Sequence, residues 1–274
     1  WPRIARGGRS DSILSYTLNC EDGGPADGAP ILLAGSLGTT LRMWDPQVAA
    51  LRAQGRRVIA YDQRGHGDSP VPPGPYSIAD LGADALALMD RLGIARASFA
   101  GVSIGGMVGQ WLAAHAPERI DRLVLLCTSS FLPPASAWEE RIATVREAGS
   151  VEVIADTVVA RWVTPEFAAA EPAAFGALRA MLAACPVEGY AGCCAAIAAM
   201  DLREDVGAIR APTLVIGGAQ DAAIPNEHQA SLAVAIPGAR LEILDPGAHV
   251  VSVERADAVT ALIADHLDRK RDAA

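Results

Sequence analysis

Ala97-Ser98-Phe99-Ala100-Gly101-Val102-Ser103-Ile104-Gly105-Gly106 begins as an unbroken run of small and apolar residues and ends in glycines at the start of a helix-prone segment. A short apolar run without alternation suits a strand covered on both faces by helices. Ser103 therefore stands where a strand turns into a helix starting near Ile104, inside the pattern G-x-S-x-G. At such a turn the serine backbone is strained and its neighbours must be small, a space that Gly101, Gly105 and Gly106 provide. The pattern alone says little in a chain with 26 glycines; its position between strand and helix is what gives it weight. The same turn aims the Ile104 N–H at an oxyanion, helped by the positive end of the helix.

Outward from this turn, similar runs recur at Ile31–Ala34, Arg57–Tyr61, Arg122–Cys127, Thr213–Gly217 and Leu241–Leu244, with helical patterns between them. Asp45-Pro46 reads as an N-cap and first helical residue, and Ser77 with Asp80 as a capping box. Leu81, Ala85, Leu88 and Leu92 then form the stripe of a helix lying on a sheet. Ser12–Leu18 alternates like an antiparallel edge strand after the Gly7-Gly8 turn. The class is α/β with a mainly parallel sheet and helices on both faces. After Cys127 the alternation stops: Phe131–Asp205 is Ala-rich and helix-prone, broken by Pro133, Pro134, Pro165, Pro172 and Pro186. The expected organisation is one core from residues 1–130 and 207–274, with a helical cap, 131–206, inserted in it.

The 274 residues suffice for one large α/β core, and 51% hydrophobic against 20% charged residues exclude intrinsic disorder. A net charge of −9 has the wrong sign for nucleic acid or an anionic membrane. No run approaches the ~18 apolar residues of a membrane span, and Trp1–Ser10 carries arginines without the apolar region of a secretion signal. Five cysteines, an odd number, fit reduced packing thiols and a cytoplasmic protein.

A serine nucleophile needs a base. His115 ends the helix after Ser103; His228 and His266 are expected on solvated helix surfaces; His66, in Arg64-Gly65-His66-Gly67, reads as structural. His249 follows the last strand, where the order serine, acid, histidine requires the base. The acid belongs on the loop after the preceding strand, which favours Asp221 over Asp245, already part of the histidine loop. Its task is to hold the imidazole tautomer and stabilise the imidazolium. The second oxyanion donor is expected from Gly35-Ser36-Leu37-Gly38, at the Leu37 N–H. No spacing of His, Cys and Asp resembles a metal site, and no glycine-rich nucleotide loop follows a strand, so neither metal nor cofactor is expected.

These residues resemble the α/β-hydrolase superfamily and, within it, the 3-oxoadipate enol-lactone hydrolases of aromatic catabolism. Ser36-Leu37-Gly38-Thr39 with Met43-Trp44-Asp45-Pro46-Gln47 resembles that family's oxyanion loop, and Tyr61-Asp62-Gln63-Arg64-Gly65-His66-Gly67 the turn that follows. Gly101–Gly106, Gln110-Trp111-Leu112 and Ala116-Pro117-Glu118-Arg119 extend the likeness. More specific are Arg161-Trp162, Thr164-Pro165-Glu166-Phe167 and Glu188-Gly189-Tyr190-Ala191-Gly192-Cys193-Cys194. Ala219-Gln220-Asp221-Ala222-Ala223-Ile224-Pro225 departs from the family's pattern after the acid.

The resemblance implies an eight-stranded, mainly parallel sheet and carries the nucleophile onto Ser103, the acid onto Asp221 and the base onto His249. It places Trp138 and Arg141 near the substrate. The implied reaction opens a carboxylated enol-lactone, a small-molecule substrate, to a keto acid through an acyl-enzyme. At a Debye length of ~8 Å, remote surface carboxylates count little against one pocket cation; Arg141 and Arg161 are the candidates for a bidentate grip on the substrate carboxylate. Other acyl chemistry on the same three residues (a carboxylesterase, another lactonase, a perhydrolase or a C–C bond hydrolase) and a non-catalytic ligand-binding receptor are the alternatives. The oligomeric state is not legible.

Overall fold

The computed structural model describes residues 16–269. Seven strands form one sheet: β1 (Cys20–Gly23), β2 (Pro30–Ala34), β3 (Arg57–Tyr61), β4 (Ala97–Val102), β5 (Ile120–Leu126), β6 (Thr213–Gly218) and β7 (Arg240–Leu244), in the order β1-β3-β2-β4-β5-β6-β7. Only β1 runs antiparallel, pairing Cys20 with Tyr61; the others are parallel. Helices α1 (Asp45–Ala53), α2 (Ile78–Arg91) and α3 (Ile104–His115) connect the first strands. Between β5 and β6 lie α4 (Ala135–Ala148), α5 (Glu152–Val159), α6 (Pro165–Ala170), α7 (Pro172–Ala183) and α8 (Val187–Ala199). The chain closes through α9 (Asn226–Ala235), α10 (Val251–Glu254) and α11 (Ala256–Asp268).

The unbroken runs become the middle of the sheet because each has apolar neighbours on both faces: all six residues of β4 and all six of β6 are buried. Two expectations change. The described sheet has seven strands rather than eight, and its antiparallel edge is Cys20–Gly23 rather than Ser12–Leu18, of which 12–15 lie outside the described residues and 16–18 form no strand. The reason is local bonding. The Asn19 N–H and side chain are taken up by Ser69 and Asp62, 2.9 and 2.7 Å away, while Glu21 and Asp22 pair with Arg52 and Arg57 and stitch the next four residues to the sheet. At the opposite edge β7 is not covered on both faces: Leu241 and Ile243 are 37% and 40% exposed.

The capping box forms as expected, with the Ser77 hydroxyl accepting from the Asp80 N–H and the Asp80 carboxylate accepting from the Ser77 N–H. Leu81, Ala85 and Leu88 are buried below it. At α1 the helix starts on Asp45 itself, one residue before the expected Pro46. Between β5 and β6 the regular structure is helical apart from one isolated bridge, Phe131 with Asp201, which together with the Leu202 N–H donating to Ser130 O closes the base of the insertion. Among the described residues no single helix is long and apolar enough to cross a membrane; α7 and α8 reach that composition only together, and they meet at 91°. Cys127, Cys185, Cys193 and Cys194 are buried and unpaired, as packing thiols.

Candidate active site

Ser103 caps α3 with φ +57 and ψ −118, a conformation an L residue adopts only when its surroundings enforce it. They do so on both sides. The Ser103 N–H donates to Leu126 O at 2.9 Å, and the Ser103 carbonyl accepts from Thr128 Oγ1 at 2.7 Å, so the turn is clamped to β5. A Cβ on Gly101 would sit 2.2 Å from the Gly105 carbonyl oxygen, and one on Gly105 would sit 2.5 Å from that of Ala34. These glycines therefore let the helix start close against β2 and β4, as the sequence led us to expect.

His249 and Asp221 meet at 2.9 Å between Nδ1 and Oδ2, both buried. Asp221 Oδ1 also accepts from the Ala223 and Ile224 N–H groups at 2.8 and 2.9 Å, which fixes the carboxylate rotamer. With Nδ1–H donating to the acid, Nε2 of the neutral ring keeps its lone pair for the pocket. Asp245 does not compete: it is exposed and accepts from the Gln220 side chain at 3.2 Å. Ser103 and His249 line the same pocket without a hydrogen bond between them among the described residues, the looser arrangement common before substrate arrives.

The Leu37 N–H makes no hydrogen bond among the described residues, and Ile104, as first residue of α3, has no intrahelical acceptor for its own. The loop holding Leu37 is braced from behind. Its Gly38 N–H donates to His66 Nε2 at 2.8 Å, His66 Nδ1 lies 3.2 Å from Arg64 O, and the Gln63 side chain donates to Gly35 O at 2.8 Å. Burial lowers the His66 pKa, which keeps the ring neutral and its Nε2 an acceptor. His66 is thus structural, as read from the sequence, but what it structures is the oxyanion loop.

The other histidines are removed from this chemistry. His115 ends α3, exposed and stacked on Trp111. His228 and His266, expected in solvent, are not: His228 Nδ1 lies 2.8 Å from Ser129 Oγ, and His266 is buried with Nε2 3.1 Å from Pro212 O.

A pocket of about 220 Å³ joins Ser103, Leu37 and His249 to the inserted helices. Trp138, Arg141 and Arg161 all line it. Trp138 Nε1 donates to Leu132 O, and the Arg141 guanidinium lies 4.9 Å over the Trp138 ring. Arg161 is tied down, its guanidinium donating to Ala222 O, and neither Arg161 nor Arg141 has an acidic partner among the described residues. The pocket therefore holds two uncompensated cations, of which Arg161 is anchored through a backbone carbonyl.

Two further groups escaped sequence reasoning. Glu254 accepts from the Thr164 N–H and hydroxyl with one oxygen and from the Ala248 N–H, at 2.7 Å, with the other, joining the inserted helices to the residue before His249. Cys127, with φ +46, sits behind the acid and base, so that its thiol, Asp221 and His249 come within 4.8 Å of one another. Burial pushes the Cys127 thiol well above its ordinary pKa, which keeps it protonated.

The chain belongs to the α/β-hydrolase fold family, whose model matches residues 29–256. Among curated relatives it is 42% identical over 241 residues to 3-oxoadipate enol-lactonase 2 of Acinetobacter baylyi, covering 88% of this chain and 89% of that one. It is 34% identical to a putative carbamate hydrolase, RutD, of Variovorax paradoxus, covering 92% and 96%. The crystal structure of the enol-lactonase from Burkholderia xenovorans superposes with a TM-score of 0.91 at 41% identity, over 94% of this chain and 99% of that one.

Proposed function

We propose that this protein opens 3-oxoadipate enol-lactone, or a closely related carboxylated lactone, to the keto acid by a serine, histidine and aspartate mechanism. The observation that carries the reading is the pairing, in one pocket, of a serine on a strained turn with two guanidinium groups, Arg141 and Arg161, that have no acidic partner among the described residues. His249 Nε2 takes the Ser103 proton as the hydroxyl attacks the lactone carbonyl, and the Leu37 and Ile104 N–H groups receive the oxyanion. The ring C–O bond breaks, the departing enolate takes the proton that His249 removed from Ser103 and becomes the ketone, His249 is neutral again, and Ser103 holds the acyl group. Water then gives its proton to His249 and its oxygen to the acyl carbon, and Ser103 recovers its hydroxyl. An enolate is a far better leaving group than an amine, so His249 has less to do as an acid here than in a peptidase.

Residues 131–206 act in this reading as a cap that supplies specificity, and the ligand is a small molecule. The enzyme works in the cytoplasm, where five unpaired cysteines stay reduced. The likeness to RutD proteins favours a carbamate as the second reading.

Turnover of 3-oxoadipate enol-lactone, neutral γ-lactones, p-nitrophenyl acetate and a simple carbamate, compared by kcat/KM, tests the proposal. The carboxylated lactone should lead by at least about ten-fold, the worth of one charged hydrogen bond; a faster carbamate would replace it. Arg141→Ala should raise KM for the carboxylated lactone more than for the acetate, and Arg161→Ala, whose guanidinium is already engaged, should do so less. Labelling of Ser103 by a fluorophosphonate separates all of these from a binding protein without turnover.

A further inference from the structure

Tyr190 is completely buried in α8, yet its hydroxyl proton has no acceptor among the described residues. A buried hydroxyl left without a partner costs roughly 1–3 kcal/mol, so such groups are rare unless a ligand completes them. Its position says which ligand. Tyr190 lines the pocket with Ser103, His249, Trp138 and Arg141. Its ring packs against the oxyanion loop, 3.4 Å from where a Cβ on Gly38 would lie.

Arg141 acts on the Tyr190 oxygen through its charge and as a hydrogen-bond donor. A guanidinium carries only donors, so it cannot accept the Tyr190 proton. Burial holds the phenol far above its usual pKa, and the proton stays on the oxygen. This corner therefore gathers a hydroxyl proton with nothing to accept it and a cation with no counter-ion. A carboxylate satisfies both at once, one oxygen for each. Stacking holds the guanidinium over the Trp138 ring face, and Arg141 lines the pocket beside it.

We propose that the Tyr190 hydroxyl is a specificity-determining donor that, with Arg141, clamps the carboxylate of the substrate and so selects acidic over neutral acyl substrates. The inference rests on the lactone reading above for the identity of the substrate, but not for the chemistry of the subsite. No bond is made or broken at Tyr190.

The test is Tyr190→Phe, which removes only the hydroxyl. With the carboxylated enol-lactone KM should rise on the order of ten-fold with kcat within about two-fold. With p-nitrophenyl acetate, which offers no acceptor there, both should be unchanged. The Ki of adipate as competitive inhibitor should weaken on the order of ten-fold as well. Thermal unfolding midpoints should move little, because the hydroxyl proton has no acceptor to lose among the described residues. An unchanged Ki for adipate, an equal KM rise for the acetate, or a lowered unfolding midpoint would each overturn the proposal, the last by showing a structural partner for the hydroxyl. If the wild-type enzyme shows no preference for the lactone, the proposed function fails, and the adipate measurement still decides Tyr190. In the double variant with Arg141→Ala, the two losses in adipate affinity should fall short of additive, since both groups hold one carboxylate.

Discussion

Ser103 shows how much of the chemistry is set by a single backbone conformation. Its φ of +57 sets the turn that starts α3 and leaves the Ile104 N–H without an intrahelical acceptor, so the proposed nucleophile and one proposed oxyanion donor share one strained turn. Ser103→Ala should lower kcat on the order of 10⁵ to 10⁶ if Ser103, His249 and Asp221 act as a unit; retention of more than a tenth of the rate in steady-state assays would refute the assignment. Asp221→Asn tests the tautomer separately. It keeps the shape of the side chain but turns an acceptor into a possible donor toward Nδ1, and a fall on the order of 10⁴ in kcat is expected. Neither variant removes an apolar contact, so unfolding should remain cooperative.

Among the elements, the loops behind the site do as much as the strands below it. The histidine loop is held by a carboxylate from α10: Glu254 accepts from Ala248 on one side and from Thr164 on the other, while the Val250 N–H donates to Trp162 O at 2.7 Å. The base is thereby seated against the inserted helices rather than on its own loop. Glu254→Ala leaves two buried N–H groups and a hydroxyl without an acceptor. It should lower kcat by about ten- to a hundred-fold through displacement of His249, with KM for a small neutral ester little changed. Glu254→Gln, which keeps one carbonyl acceptor, should recover part of the loss; equal kcat in wild type and both variants would remove this role. The same logic explains why β1 forms where it does: Leu18 and Asn19 are spent on the core and on the loop after β3, and the ladder starts only at Cys20.

At the scale of the molecule, acid should act through the buried histidines. Burial first, and then the positive charges of Arg122, Arg240 and Arg269, lower the His266 pKa to about 4. The unfolded chain, with an ordinary histidine near 6.5, then binds more protons than the folded one, so stability rises with pH in this range. It is at its full value above about pH 6.5 and is lost progressively as pH falls toward 4. Buried His66, also lowered, adds to the same slope. His266→Gln, which can still donate to Pro212, should flatten the pH dependence of the urea midpoint between pH 6.5 and 4. An unaltered slope would mean that other groups carry it.

The sequence by itself determined the parallel sheet, the turn at Ser103 and the chain order of Ser103, Asp221 and His249. Those signals are local: a strand buried on both faces must be apolar throughout, a strained turn must have glycine beside it, and a helix inserted between strands interrupts their rhythm with proline. The tertiary structure alone decided how each pocket cation is held, a carbonyl from the loop after β6 reaching Arg161 and the Trp138 ring lying under Arg141. It alone placed His66 behind the oxyanion loop, Glu254 between Thr164 and Ala248, and the idle hydroxyl of Tyr190 beside Arg141. Each of these pairs segments remote in the chain, and for such a contact the packing of whole elements, α4 against α8 above all, leaves no trace in the local pattern of either partner.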